Sequence, residues 1–196
     1  QQSVIKRLAY GIQEEKTNKA GYWKVATGIE RALQRAVQNN FEGRIVNCQD
    51  MAVEALYNMN GSAIIRNSDD FFPERTAYYS LEVEKGNAAA HVIMNIHNSL
   101  WTSQIAWPDY DMFQSHHIDA EYHATLRAIS GGPIYVSDIP GMQNEVILKK
   151  LIDNSGRVLR ANQPALPTKD CLFNININKP FKAFSKIDNS GLLAIW

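Results

Sequence analysis

Between residues 21 and 40 apolar side chains recur at three- and four-residue spacing: Trp23, Ala26, Ile29, Leu33 and Val37. That spacing predicts a helix with one apolar stripe, and it puts Glu30, Arg31, Arg35 and Gln38 on the opposite face. Asn39, Asn40 and Gly43 close it. Arg44 to Cys48 then reads as a short buried strand, and Asp50 to Met59 as a helix with Ala52, Ala55 and Leu56 on one side. The alternation returns three more times. Strands at 63–65, 103–107 and 133–136 are followed by helices at 88–100, 119–129 and 144–152. Strand and helix alternating at these lengths predict parallel strands joined by helical crossovers. No repeat of fixed period is visible, which excludes a solenoid.

Near residue 160 the texture changes. Pro164, Pro167 and the period-two run Asn174 to Asn178 replace helical patterning, and Asp188-Asn189-Ser190-Gly191 is a turn before an apolar strand. The expected organisation is an α/β domain over 1–160, followed by a linker and the first strands of an antiparallel β domain over 161–196. Four strand–helix units are half of an eightfold (β/α)8 TIM barrel, which takes about 250 residues when closed. A doubly wound open sheet is the alternative. Against it, no Gly-rich phosphate turn follows a strand, and Gly131-Gly132 precedes one.

The chain has 196 residues, 45% hydrophobic and 20% charged, as in globular domains. Its 20 basic and 20 acidic residues cancel, so the electrostatic footprint of a nucleic-acid or anionic-membrane partner is missing. No uninterrupted apolar run is long enough to cross a bilayer. Cys48 and Cys171 are the only cysteines, and two distant thiols suggest neither a disulfide framework nor a zinc site. The compartment stays open, with a soluble, cytoplasmic protein favoured. Gln1 to Arg7 does not read as a signal peptide. With no initiator Met, and with Gly191 to Trp196 reading as a strand that stops in mid-run, the chain is expected to be an internal piece of a longer protein.

Two segments carry candidate chemistry. Arg66-Asn67-Ser68-Asp69-Asp70-Phe71-Phe72-Pro73 and Pro108-Asp109-Tyr110-Asp111-Met112-Phe113 each follow a short apolar run. Each places carboxylates where a strand ends, the working face of a parallel barrel. Paired carboxylates beside an arginine and aromatics suit a carbohydrate-cleaving site. Asp69 and Asp70 read alone are equally a cap or a solvated turn. With Phe71 and Phe72 excluding water, one of the pair would be held protonated as a general acid. Asp109 and Asp111, two apart, can face one site, or they can brace a loop through carboxylate-to-backbone hydrogen bonds. Trp107 and Tyr110 bracket that loop as candidate sugar-stacking platforms. Trp23, Tyr78, Tyr79 and Trp101 are expected in the core. His116, His117 and His123 lack the spacing of a metal motif and read as packing or supporting histidines. No nucleophile is identifiable. Cys48 has no histidine near it in sequence, and Ser130-Gly131-Gly132 is no nucleophile elbow.

These residues resemble family 36 of the glycoside hydrolases, in the branch of raffinose synthases, alkaline α-galactosidases and seed imbibition proteins. Residues 66–73 resemble its Arg-x-Ser-Asp-Asp-Phe block. Asn98-Ser99-Leu100-Trp101 with Gln104 resembles the helix that follows, and 108–115 with Ala120-Glu121-Tyr122-His123 resembles its most recognisable stretch. Residues 127–138, 167–173 and 192–196 continue the likeness in order, so it covers essentially the whole chain.

The resemblance implies a retaining α-galactosidase acting on raffinose-type α-galactosides through a covalent galactosyl–aspartate. Its alternatives are a raffinose or stachyose synthase-type galactosyltransferase, or a catalytically dead sugar-binding homologue. The chain would hold strands five to eight of the barrel. The family's nucleophile, in a Lys-x-Asp element, would lie just before Gln1, so this piece alone is expected to be inert. The acid/base stands four residues after a sugar-binding arginine in the related α-galactosidases. That spacing selects Asp70 with Arg66, and Asp69 is the alternative. Cys48 matches a position that touches the sugar, and Asp111 with Met112 matches a pair lining the galactose pocket. No cofactor or metal is implied. Tyr110 in place of a usual Trp, Gln143 in place of a usual His, and the insertion-like run Glu14 to Ala20 are departures that bear on acceptor specificity.

Overall fold

The protein is described by a computed structural model over residues 21–48, 52–73, 88–175 and 178–196. The chain divides into two units, Gln1–Arg66 and Asn67–Trp196. The run Glu14 to Ala20, Tyr78 and Tyr79 lie outside the described residues, as does part of the Asn174 to Asn178 run.

In the first unit, helix α1 spans Gly21–Phe41, strand β1 Val46–Asn47, the short helix α2 Val53–Leu56 and strand β2 Ile64–Arg66. β1 and β2 pair in parallel, Val46 opposite Ile64 and Asn47 opposite Ile65. α1 ends as the sequence predicts, at a left-handed Gly43 whose N–H donates to the Val37 carbonyl (φ +77°, 3.3 Å). Its buried stripe differs from the expected one. Ala26, Glu30, Gln34 and Val37 face inward, whereas Trp23 is 51% exposed. The stripe is rotated because Gln34 has partners to meet: its Nε2 donates to Asn47 Oδ1 (3.4 Å) and its Oε1 accepts from Ser62 Oγ (2.5 Å).

The second unit holds α3 (Ala88–Thr102), β3 (Trp107–Asp109), α4 (Ala120–Ser130), α5 (Glu145–Lys149), β4 (Leu166–Pro167), a 3-10 turn at Lys169–Cys171, β5 (Lys182–Ile187) and β6 (Ser190–Ile195). The expected strand at 103–107 is displaced. Ser103, Gln104, Ile105 and Ala106 give their N–H groups back to Ser99, Trp101 and Thr102 in turns that prolong α3, so extended backbone begins only at Trp107. The expected strand at 133–136 shrinks to one parallel bridge. Phe113 N–H donates to Tyr135 O (3.3 Å) and Ser137 N–H to Phe113 O (2.9 Å). Pro133 has no N–H to extend that ladder. α5 is shorter than predicted and starts at Asn144, whose Oδ1 accepts from the N–H groups of Val146 and Ile147.

β4, β5 and β6 form an antiparallel sheet in that order, and the Asp188-Asn189 turn joins the last two. This sheet does not stand apart from the helices. Ala165, Cys171, Phe181, Ala183 and Ala194 share one core with Val92, Ile96, Tyr110, Leu126 and Ile129. A second core joins Phe71 and Phe113 to Ala120, Ala124, Ile147 and Leu151.

Candidate active site

Asn67 to Pro73 crosses the second unit as a strap clamped at both ends. At the first end Asn67 is fully buried. Its N–H donates to the Asp109 carbonyl (3.0 Å), its Nδ2 to Asn95 O (2.5 Å) and Ser99 Oγ (3.0 Å), and its carbonyl accepts from Asn98 Nδ2 (2.6 Å). Thr102 Oγ1 donates to its Oδ1. At the other end Phe71 N–H donates to Asp111 Oδ2 (2.6 Å), and His117 Nε2 meets the Pro73 carbonyl (3.1 Å). His117 Nδ1 accepts the Asp119 N–H, so the proton lies on Nε2. Between the clamps Asp69 and Asp70 stand exposed. Phe71, expected to keep water from the pair, instead puts its ring in the core, edge-on to His123 at 4.7 Å. A side chain apolar enough to exclude water there is apolar enough to be buried itself.

The loop after β3 takes the braced form. Asp109 and Asp111 are both buried. Asp109 Oδ1 accepts the Asp111 N–H (2.9 Å), and both of its oxygens lie within 3.0 Å of Tyr135 Oη, whose hydroxyl donates. Asp111 Oδ1 accepts the Met112 N–H (2.7 Å), while Oδ2 holds the strap. Asp111 has φ +66°, a left-handed conformation that a non-glycine residue adopts only under constraint. Tyr110, expected as a stacking platform, is fully buried with its hydroxyl 2.7 Å from Ser99 Oγ. Burial pushes its phenol well above the usual tyrosine range, a shift the Ser99 hydrogen bond opposes. Only Trp107 of β3 is exposed; the chain turns inward from Pro108, and Tyr110 follows the buried Asp109 into the core.

Trp107 and Met112 remain accessible, at 40% and 37%. Trp107 lies over Gly131. In the first unit Cys48 is an exposed thiol just after β1, and Arg66 is buried at the end of β2.

Beneath the loop lies a polar cluster around Arg127 and His91, to which the sequence pattern gives no role, with His123 as a supporting histidine. Arg127 is fully buried. Its Nε donates to the Asp111 carbonyl (3.1 Å), one terminal nitrogen to the Met112 carbonyl (2.7 Å) and the other to His123 Nδ1 (3.0 Å). His91 Nε2 sits 3.1 Å from the guanidinium and 3.0 Å from the Tyr110 carbonyl. A guanidinium only donates, so His123 accepts as the neutral imidazole. Burial first, then the charges of Arg127, His91 and His117, push the His123 imidazole down to about 3. The signal for Arg127 was in the sequence: Ala120, His123, Ala124, Arg127 and Ser130 recur at helical spacing and form the buried face of α4. The buried Asp138 carboxylate accepts from Ser115 N–H (2.7 Å) and Ser115 Oγ (2.6 Å) and meets the exposed His116 at Nδ1, 3.1 Å away. Among the described residues no three His, Cys, Asp or Glu side chains converge as metal ligands.

Comparison with known proteins sharpens this picture. The family profile described as raffinose synthase or seed imbibition protein Sip1 matches residues 11–196. Probable galactinol–sucrose galactosyltransferase 6 of Arabidopsis thaliana is 36% identical over all 196 residues, which correspond to 23% of its own length. The galactinol–sucrose galactosyltransferase of Pisum sativum is 37% identical over 78% of this chain and 19% of its own. Stachyose synthase of Pisum sativum is 44% identical over 54% of this chain and 11% of its own. The chain thus spans about a quarter or less of these relatives.

Proposed function

The chain belongs to the raffinose synthase or seed imbibition protein Sip1 family, and from that premise we propose that its parent protein transfers an α-galactosyl group, with retention, from an α-galactoside donor to a sugar acceptor. The relatives named as galactinol–sucrose galactosyltransferases and stachyose synthase support transfer over hydrolysis as the main reaction. Water in the acceptor's place would make the same machinery an α-galactosidase.

Asp70 is the acid/base. It gives its proton to the glycosidic oxygen as the bond from that oxygen to the anomeric carbon breaks. A carboxylate supplied upstream, in the family's Lys-x-Asp element, bonds to the same carbon. The acceptor hydroxyl then attacks that carbon, loses its proton to Asp70, and releases the nucleophile. The two carboxyls would stand roughly 5–5.5 Å apart, as retention requires. Arg66, four residues before Asp70, and Cys48 are assigned to the donor sugar by the resemblance alone, as is Met112 for an apolar contact; the exposed Trp107 is assigned to stacking. Asp109 and Asp111 act by bracing the loop. The strand–helix alternation is read, on the resemblance, as strands five to eight of an eightfold barrel; the parallel pairing of β1 with β2 and of Phe113 with Val136 supports a parallel α/β arrangement.

One observation carries the assignment: an adjacent carboxylate pair, exposed, on a backbone strap clamped on both sides. Rigid placement of a reacting group is what general acid catalysis needs. The test is the full-length enzyme with galactinol and sucrose, following free galactose and trisaccharide by chromatography. Trisaccharide as the main product supports transfer. Free galactose alone makes the enzyme a hydrolase, and binding without either product makes it a sugar-binding relative.

A further inference from the structure

We infer that Arg127 is a positioning residue for the acid/base strap, acting through Asp111 and Phe71, and that its fork of donors rather than its charge is what the site requires. This rests on the reading of Asp70 as the acid/base.

The geometry runs in a closed circuit. Arg127 comes from α4, behind the loop after β3. Its Nε and one terminal nitrogen take two successive carbonyls, those of Asp111 and Met112. Those carbonyls directly follow the point where the backbone turns left-handed, at Asp111. A conformation of that kind persists only where neighbours over-determine it, and the guanidinium supplies two fixed donors there. The turn aims the Asp111 carboxylate at the Phe71 N–H, one residue beyond Asp70. The guanidinium also lies 5.6 Å from the Phe71 ring centroid and 5.6 Å from that of Phe113. The Phe71 ring in turn stands edge-on to His123, which accepts from Arg127. The strap is therefore held twice by one side chain, through its backbone by way of Asp111 and through its ring directly.

Lysine cannot reproduce this. Its ammonium is a compact point charge on a flexible stem, whereas arginine presents planar donors and a flat face for rings. Misplacing a general acid by about 1 Å costs on the order of 10²-fold. The loss falls on substrates whose leaving group must be protonated.

The experiment compares kcat on raffinose, a poor leaving-group donor, with kcat on 4-nitrophenyl α-galactoside, which leaves without a proton. Full-length wild type, Arg127→Lys and Asp70→Asn are run side by side, each checked for folding by circular dichroism. Arg127→Lys is expected to lower kcat on raffinose at least about 10-fold more than on the activated donor, in the same sense as Asp70→Asn. If Asp70→Asn discriminates and a folded Arg127→Lys lowers both donors alike or neither, Arg127 is structural only and the inference is overturned. If Asp70→Asn itself does not discriminate, the acid/base reading falls and takes this inference with it. Should Arg127→Lys fail to fold, Phe71→Leu, which removes the ring between the guanidinium and the strap, is read by the same two criteria.

Discussion

His123 contributes to the site by staying neutral. Its folded imidazole titrates near 3, well below the usual histidine value, because burial and the cations around it oppose a proton. The sign of the consequence follows. Between about pH 6.5 and 3 the unfolded chain binds a proton that the folded chain refuses, so stability falls as pH falls through that window and levels off below it. The cost approaches about 1.4 kcal/mol for each pH unit inside the window. His123→Gln should be less stable than wild type at pH 7 yet lose less stability between pH 7 and 4, measured by denaturant unfolding. Equal losses in the two proteins would assign the acid sensitivity to other groups. Tyr110 makes a milder case. Its hydroxyl reaches Ser99 in a fully buried setting, and Tyr110→Phe should cost about 1 kcal/mol of stability without changing kcat. A fall in kcat with stability unchanged would return Tyr110 to the sugar site.

At the level of elements, close approach explains a glycine pair that chemistry did not. A Cβ on Gly132 would stand 1.9 Å from the Pro108 carbonyl oxygen, and one on Gly131 would meet Trp107 at 2.8 Å and a left-handed φ of +73°. The end of α4 therefore packs against β3 with no room for a side chain. Gly132→Ala should destabilise by about 1–3 kcal/mol, the cost of overpacking that moves backbone, and should lower the melting temperature. An unchanged melting temperature would mean that β3 and the end of α4 separate freely. The N-cap of α5 works at smaller scale. Asn144 caps two N–H groups and gives its own N–H to Ser115 Oγ (2.8 Å), itself bonded to Asp138. Asn144→Ala should cost about 1 kcal/mol.

On the scale of the whole molecule, the change of texture near residue 160 marks a change of secondary structure within one core. Phe181, Ala183 and Ala194 of the antiparallel segment pack with Val92, Ile96 and Leu126 of α3 and α4. The Trp196 ring stands edge-on to Tyr122 at 6.2 Å. Hydrogen exchange on the parent protein should release the slowest amides of α4 and of β5–β6 at the same denaturant concentration, as one cooperative unit does. Release of β5–β6 well before α4 would make residue 160 a real boundary of folding.

The sequence by itself determined the longer helices and the family. Helical spacing located α1, α3 and α4, and the blocks at 66–73 and 108–115 carried the resemblance that the family profile bears out. Local patterns suffice for these because a period of 3.6 and a run of residue types are properties of neighbours in the chain. Tertiary structure decided which faces are buried and which carboxylates are exposed. Glu30 turned inward, Tyr110 joined the core, Asp109 and Asp111 became braces, and of the four candidate aspartates Asp69 and Asp70 were left outside. The helix stripe at 120–130 marks Arg127 as inward-facing, yet only the folded chain sets three carbonyls and two imidazoles around it. Helical spacing reaches His123, four residues before it, but the other partners lie 15 to 36 residues earlier in the chain, where no local rule reaches. A buried polar group is stable only where distant segments complete its hydrogen bonds, so its role is written in the packing.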